Sequence, residues 1–239
     1  MCGRTRLSVP PSDLAETFLA GAQPSAREAL DTRADLMEAL NLNCAPTDPI
    51  LVVRRVKDSE TREVVAMRWG LVPFYVHDFR DAKPLINARV ETVATSRAFR
   101  DAFKKRRCLV LADGFYEWHA KKGAKKKTPY VIRRPGGAPF AMAGLWDRWK
   151  GTIKNHPERI ETCTVITCPA SDAVAALHDR MPIALEKSDY AAWLDPASDP
   201  IVLRDVLARC VKDWEIAEVE RMPESSVVAK KAQMKLFAS

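Results

Sequence analysis

The chain has 239 residues, 47% hydrophobic and 29% charged, with a net charge of +7. That balance suits a globular protein with a substantial core and excludes a low-complexity or disordered chain. No apolar run reaches the ~18 residues of a membrane span. Arg4, Arg6, Asp13 and Glu16 interrupt the start of the chain, so a cytoplasmic protein with no export signal and no membrane contact is expected.

In chain order, Ser12 or Asp13 can cap a helix over 12–20, with Leu14, Phe18 and Leu19 on one face. Residues 21–45 are Ala-rich and predict partial helix. Ile50–Val56 and Glu63–Trp69 are β-rich runs joined by a polar segment, which predicts a hairpin. Ser96 opens a predicted helix with Ala98, Phe99, Ala102 and Phe103 at helical spacing. Strands are expected near 107–112, 115–119, 129–134, 139–145 and 162–168, with Pro135-Gly136-Gly137 as a turn. Helices follow at Asp172–Leu177, Ser188–Leu194 and 201–209, and a late strand at Trp214–Val219. The order lacks βαβ regularity, so the class is α+β, as one domain over 1–221 with a polar, mobile tail over 222–239.

The six cysteines are Cys2, Cys44, Cys108, Cys163, Cys168 and Cys210. They show no zinc-ligand spacing and no disulfide framework, so no metal and no cofactor are expected, and the last five read as buried thiols. Cys2 is different. Removal of Met1 leaves a free α-amine and a thiol on one residue. Such a 1,2-aminothiol captures an aldehyde as a Schiff base and closes it intramolecularly to a thiazolidine. Both groups have ordinary pKa values near ~8, so both are expected to be partly reactive at neutral pH.

Three further segments carry chemistry. In an extended Leu85–Thr92, Asn87, Arg89 and Glu91 share one face; an exposed strand face is the alternative, and for Glu91 alone that, or an ion pair with a nearby arginine, is the favoured reading. Glu117 lies among the aromatics of Ala112–Trp118, which would desolvate it towards a general acid/base range; a surface glutamate is the alternative. His178 sits beside Asp179 and Arg180 before Pro182, a setting for a held proton donor. Basic clusters at Arg54-Arg55, Lys104–Arg107 and Lys121–Lys127 weakly favour a polyanionic partner.

MCGR at the start, NCAPT at 43–47, RWGLVP at 68–73, LINARVET with ATSR at 85–97, ADGFYEW at 112–118 and LHDRMP at 177–182 occur in order. Together they resemble the SOS response-associated peptidase family, the abasic-site processing proteins. The resemblance implies an α+β domain around a curved, barrel-like mixed β-structure with flanking helices. It implies a monomer that binds single-stranded DNA, and Cys2 as the residue that forms a thiazolidine with a ring-opened abasic sugar. Asn87 then positions the adduct, Glu117 moves protons, and His178 holds the opened sugar oxygen and assists crosslinking and its reversal. Arg4, Arg89, Ser96 and Arg97 match phosphate-holding positions, Trp118 an aromatic that packs on a base, and Pro46 the same surface. The segment with Phe74, Tyr75, His77 and Phe79 and the acidic stretch 219–224 lie outside the match.

Two other functions fit the residues. Cys2 could be the N-terminal nucleophile of a peptidase, with Glu117 assisting amide cleavage. Alternatively, the basic charge and Trp118 could serve a non-catalytic single-strand binding module. A strand-cleaving lyase reaction would follow from the same Schiff base.

Overall fold

The predicted strands settle into two sheets in the computed structural model, which describes residues 2–19, 29–121, 123, 126–154 and 156–225. The chain starts with β1 (Thr5–Leu7), α1 (Pro11–Phe18), α2 (Ala34–Glu38) and β2 (Asn41–Cys44). Pro11 suits a first helical turn, and α1 buries Leu14, Ala15 and Phe18. The predicted hairpin is present as β3 (Pro49–Arg55) and β4 (Arg62–Trp69), in register from Pro49 opposite Arg68 to Arg55 opposite Arg62. Next come β5 (Asn87–Arg89), α3 (Arg100–Lys105), β6 (Arg107–Ala112), β7 (Gly114–His119) and β8 (Thr128–Arg133).

β9 (Phe140–Ile153) and β10 (His156–Pro169) form a long hairpin in which Ile153 faces His156 and Lys154 takes φ 48°, as tight hairpin turns require. The chain continues through α4 (Asp172–Ala175), β11 (Arg180–Pro182), β12 (Ala184–Leu185), α5 (Tyr190–Leu194), α6 (Pro200–Ala208) and β13 (Glu215–Glu218).

Strands β10, β4, β3, β6 and β9 close on themselves, because β10 pairs with β9 on one side and β4 on the other. The β4–β10 pairing is parallel and the others are antiparallel, so this is a mixed barrel with no open edge around its ring. β6 is buried at every position, one face filling the barrel and the other covered by α5, whose Trp193 indole N–H donates to Cys108 O at 2.9 Å. The smaller sheet, in the order β13-β8-β7-β1-β2, holds the N-terminal strand. One contiguous apolar cluster runs from Cys2 to Trp214. The fold is α+β, as expected.

Three local expectations change. The segment 41–44 is a strand because β1 pairs with it, Thr5 opposite Cys44, and pairing outweighs helix propensity. The predicted 21–45 helix survives as α2, while residues 20–28 lie outside the described ones. Ser96 does not open α3. Residues 92–96 wind through successive turns, Ser96 N–H to Thr92 O and Arg100 N–H to Ser96 O, and the helix starts at Arg100. Of the predicted tail, residues 222–225 are described and the rest lies outside.

Gly70 ends β4 and sends the chain out towards β5. It adopts φ +124°, and a Cβ there would sit 2.6 Å from Pro84 Cβ. Gly70→Ala is therefore expected to cost about 1–3 kcal/mol from the backbone alone, with the overlap adding to it. A smaller shift in the denaturant midpoint would show that the turn relaxes freely.

Candidate active site

The smaller sheet delivers the N-terminus to one place. β1 pairs antiparallel with β7, Thr5 opposite Phe115, and Tyr116 N–H donates to Arg4 O at 2.9 Å. The same antiparallel direction brings Cys2 and Gly3 level with Glu117 and Trp118. Asp113 anchors the pair: it accepts from Arg6 Nε at 2.7 Å, Ser8 N–H at 2.8 Å and Ser8 Oγ at 2.6 Å.

The barrel supplies the opposite wall. Beyond β4, the same edge of β10 pairs with β5, Val165 opposite Asn87 and Thr167 opposite Arg89. Trp69 of RWGLVP steers this return, its indole N–H donating to Ile86 O at 3.0 Å. Asn87 is thereby placed to donate Nδ2–H to the Cys2 carbonyl at 2.9 Å. Its Oδ1 is buried and has no hydrogen-bond partner among the described residues.

Glu117, on β7, is 5% exposed. Burial pushes its carboxyl above the ordinary glutamate range, with the neighbouring His178 pulling the other way. Cys2 is fully buried, and burial together with the Glu117 charge pushes its thiol far above the usual range. The expectation of a partly ionised thiol is thus corrected: in this setting Cys2 keeps its proton until a base removes it.

His178 stands in the loop between α4 and β11. Its Nδ1 accepts the Arg180 backbone N–H at 3.0 Å and lies 2.7 Å from Asp179 Oδ1. The contact with the solvent-facing Asp179 becomes an ion pair only on protonation. Arg180, which the sequence reading left out of the site, pins this loop. It grips both Glu91 oxygens, at 2.8 and 3.0 Å, and Thr167 O at 2.6 Å. Glu91 lies past the end of β5 and serves that ion pair, the second of its two predicted uses. The signal was present in the sequence, an arginine within the same motif as His178.

The residues matched to phosphate contacts fall into two groups. Arg89 and Arg97 are exposed, and Ser96 is half-buried in the turn before Arg97. Arg4 is half-buried, with Nη1 donating to Asn43 Oδ1 at 3.0 Å. Pro46 and Trp118 are half-buried, and Trp118 lies 6.5 Å from the Tyr116 ring. Arg97 lies over the Tyr75 ring at 4.6 Å, and Tyr75 meets Phe74 edge-on at 5.4 Å. Sequence reasoning could not place these two aromatics, because only the fold brings them to Arg97.

The other basic clusters are mostly structural. Arg54 lies over Trp146 and pairs with Glu63 and Glu161. Arg107 is buried and donates to the carbonyls of Phe103, Lys104, Trp193 and Asp195, closing the ends of α3 and α5. Burial lowers it to about 10, so it remains a cation at neutral pH. Within 121–127, Lys121 pairs with Glu218 at 2.6 Å, and residues 122, 124 and 125 lie outside the described ones. No helix among the described residues is long and apolar enough to cross a membrane.

Fold and site define an α+β barrel protein whose near-terminal cysteine is held by an asparagine beside a buried carboxyl and an imidazole. The profile of the family described as SOS response associated peptidase (SRAP) matches residues 1–226, and the chain belongs to that family. It is similar to the abasic site processing protein YoaM of Bacillus subtilis, 33% identical over 186 residues that cover 78% of each chain. It is also similar to the abasic site processing protein HMCES of Xenopus tropicalis, 30% identical over 237 residues, covering 85% of this chain and 70% of the relative. A crystal structure of a protein from Bacteroides thetaiotaomicron shares the fold with a TM-score of 0.75 at 25% identity, covering 92% of this chain and 93% of the other.

Proposed function

We propose that this chain processes abasic sites in single-stranded DNA by capturing the ring-opened sugar aldehyde on Cys2, as a monomer acting in the DNA damage response. The observation that carries the proposal is the convergence of Asn87, on the Cys2 carbonyl, and Glu117, buried beside the Cys2 thiol.

With Met1 removed, the Cys2 α-amine adds to the aldehyde carbon, and the carbinolamine loses water to give a Schiff base. Asn87 Oδ1 is an acceptor that can orient the amine. Glu117 takes the ammonium proton and returns it to the departing hydroxyl. The Cys2 sulfur then adds to the imine carbon while its proton passes to the imine nitrogen, giving a thiazolidine. One water is released overall. Ring closure consumes the imine, which otherwise acidifies the adjacent sugar carbon and opens a strand-cleaving lyase route. His178 donates a hydrogen bond to the oxygen freed when the sugar opens.

Arg4, Arg89, Ser96 and Arg97 hold phosphates. Trp118 stacks on a base for about 1–3 kcal/mol without reading its identity, and Pro46 belongs to the same proposed surface. A thiol-protease reading is disfavoured on physical grounds: burial raises the Cys2 thiol, whereas a protease nucleophile needs it lowered.

The test is a denaturing gel of mature protein with single strands that carry or lack an abasic site. A heat-stable band is expected only with the abasic strand and only when Met1 has been removed. A band of equal strength from intact strands, or with Met1 retained, would overturn the proposal. His178→Ala is expected to slow release of DNA from the purified adduct by on the order of 10²-fold, at the lower end for a lost proton donor. Release at the parent rate would remove His178 from the reaction.

A further inference from the structure

We infer that Cys168 and Cys210 form a reversible disulfide when the protein meets a hydroperoxide. Their sulfurs lie 3.9 Å apart in a hydrogen-bonding contact. Both side chains line a cavity of about 1110 Å³, walled by apolar groups such as Val93, Phe103, Met181 and Leu207. The backbone holds each cysteine in place. Cys168 is in the β10–β11 ladder opposite Met181, and Cys210 lies between Arg209, whose N–H bonds Asp205 O, and Val211, whose N–H bonds Ala184 O. A disulfide requires the sulfurs to approach from 3.9 Å to the ~2.05 Å of an S–S bond.

Selectivity follows from burial. Cys2, Cys44, Cys108, Cys163 and Cys168 are buried, whereas Cys210 is only partly so, which corrects the expectation that all five later cysteines are buried thiols. The contact with the Cys168 sulfur, with Lys212 nearby, draws Cys210 below the usual thiol range, while Cys168 itself is raised. Cys210, the more accessible of the two, is therefore the attacking sulfur. Its sulfur attacks one peroxide oxygen and the O–O bond breaks. The product is a sulfenic acid, and the other oxygen leaves as water or an alcohol after taking a proton. The Cys168 sulfur then attacks the Cys210 sulfur, its own proton leaves with the hydroxyl as water, and the S–S bond forms. The peroxide is reduced by two electrons and the two thiols are oxidised by two. The cavity wall includes Val90, Val93 and Ala94, so the bond forms directly behind the segment that carries Arg89, Ser96 and Arg97. This inference stands apart from the proposed DNA chemistry, since neither cysteine takes part in it.

The test treats the reduced full-length protein with hydrogen peroxide at neutral pH, then alkylates under denaturing conditions and maps peptides by mass spectrometry. The expected product is a Cys168–Cys210 linkage, lighter by two hydrogens and removed by dithiothreitol. In Cys210→Ser, Cys168 should remain fully alkylatable. In Cys168→Ser, Cys210 should stop at a sulfenic acid that dimedone traps. Recovery of both cysteines alkylated after peroxide would overturn the inference. So would linkage to any other cysteine, or equal oxidation of Cys168 in Cys210→Ser.

Discussion

Cys2→Ala is expected to eliminate the heat-stable adduct with abasic single strands while leaving a Schiff base that borohydride can trap. The substitution keeps the α-amine, so the first bond still forms. It removes the sulfur that closes the ring. That closure is intramolecular, with an effective molarity on the order of 10⁵ M or more, so millimolar added thiol cannot replace it. The variant should also shift the balance towards strand cleavage, because the imine now persists. In the proposed mechanism one residue serves both steps. Asn87 holds the Cys2 carbonyl at 2.9 Å, and the Glu117 charge acts on the thiol of the same residue. An undiminished heat-stable band from Cys2→Ala would remove the thiazolidine from the mechanism.

Glu117→Gln is expected to slow adduct formation by on the order of 10²–10⁴-fold, the usual contribution of a positioned acid/base. It should leave binding to undamaged single strands unchanged. The pH dependence gives a second readout. Burial raises the Glu117 carboxyl, so its base form appears at higher pH than for an ordinary glutamate. The parent rate should rise with pH through that elevated range, and Glu117→Gln should lose this limb. Stability should move the opposite way. The folded state holds the Glu117 proton more tightly than the unfolded state, so the group's contribution falls as pH rises from the ordinary glutamate value through the raised one. Glu117→Gln removes that penalty and should raise the melting temperature at neutral pH, by about 2–4 °C for each kcal/mol. A variant that is both slower and less stable would indicate that the carboxyl is structural.

Much of the candidate site was legible before the fold was known, because it was marked by residue type and motif. Cys2, Asn87, Glu117 and His178 were marked from sequence, and β1, β5 and β7 bring the first three together. The hairpin β3–β4 was also readable, since strand runs with a polar break need only local contacts. What could not be read depended on distant partners. β2 is a strand because β1 lies beside it, which outweighs an Ala-rich approach. Arg107 was read within a basic cluster that weakly favours a polyanionic partner, whereas two helix ends converge on it. Thiol ionisation at Cys2 was misjudged for the same reason: burial, not residue type, sets it.

The measurement that bears most directly on the central claim is peptide mapping of the purified DNA adduct. Mature protein is crosslinked to an abasic oligonucleotide, denatured, alkylated and digested. The account predicts a DNA remnant on the N-terminal peptide, with Cys2 protected from alkylation because its sulfur is in the ring. A remnant on another residue, or a Cys2 that alkylates while DNA remains attached, would contradict it.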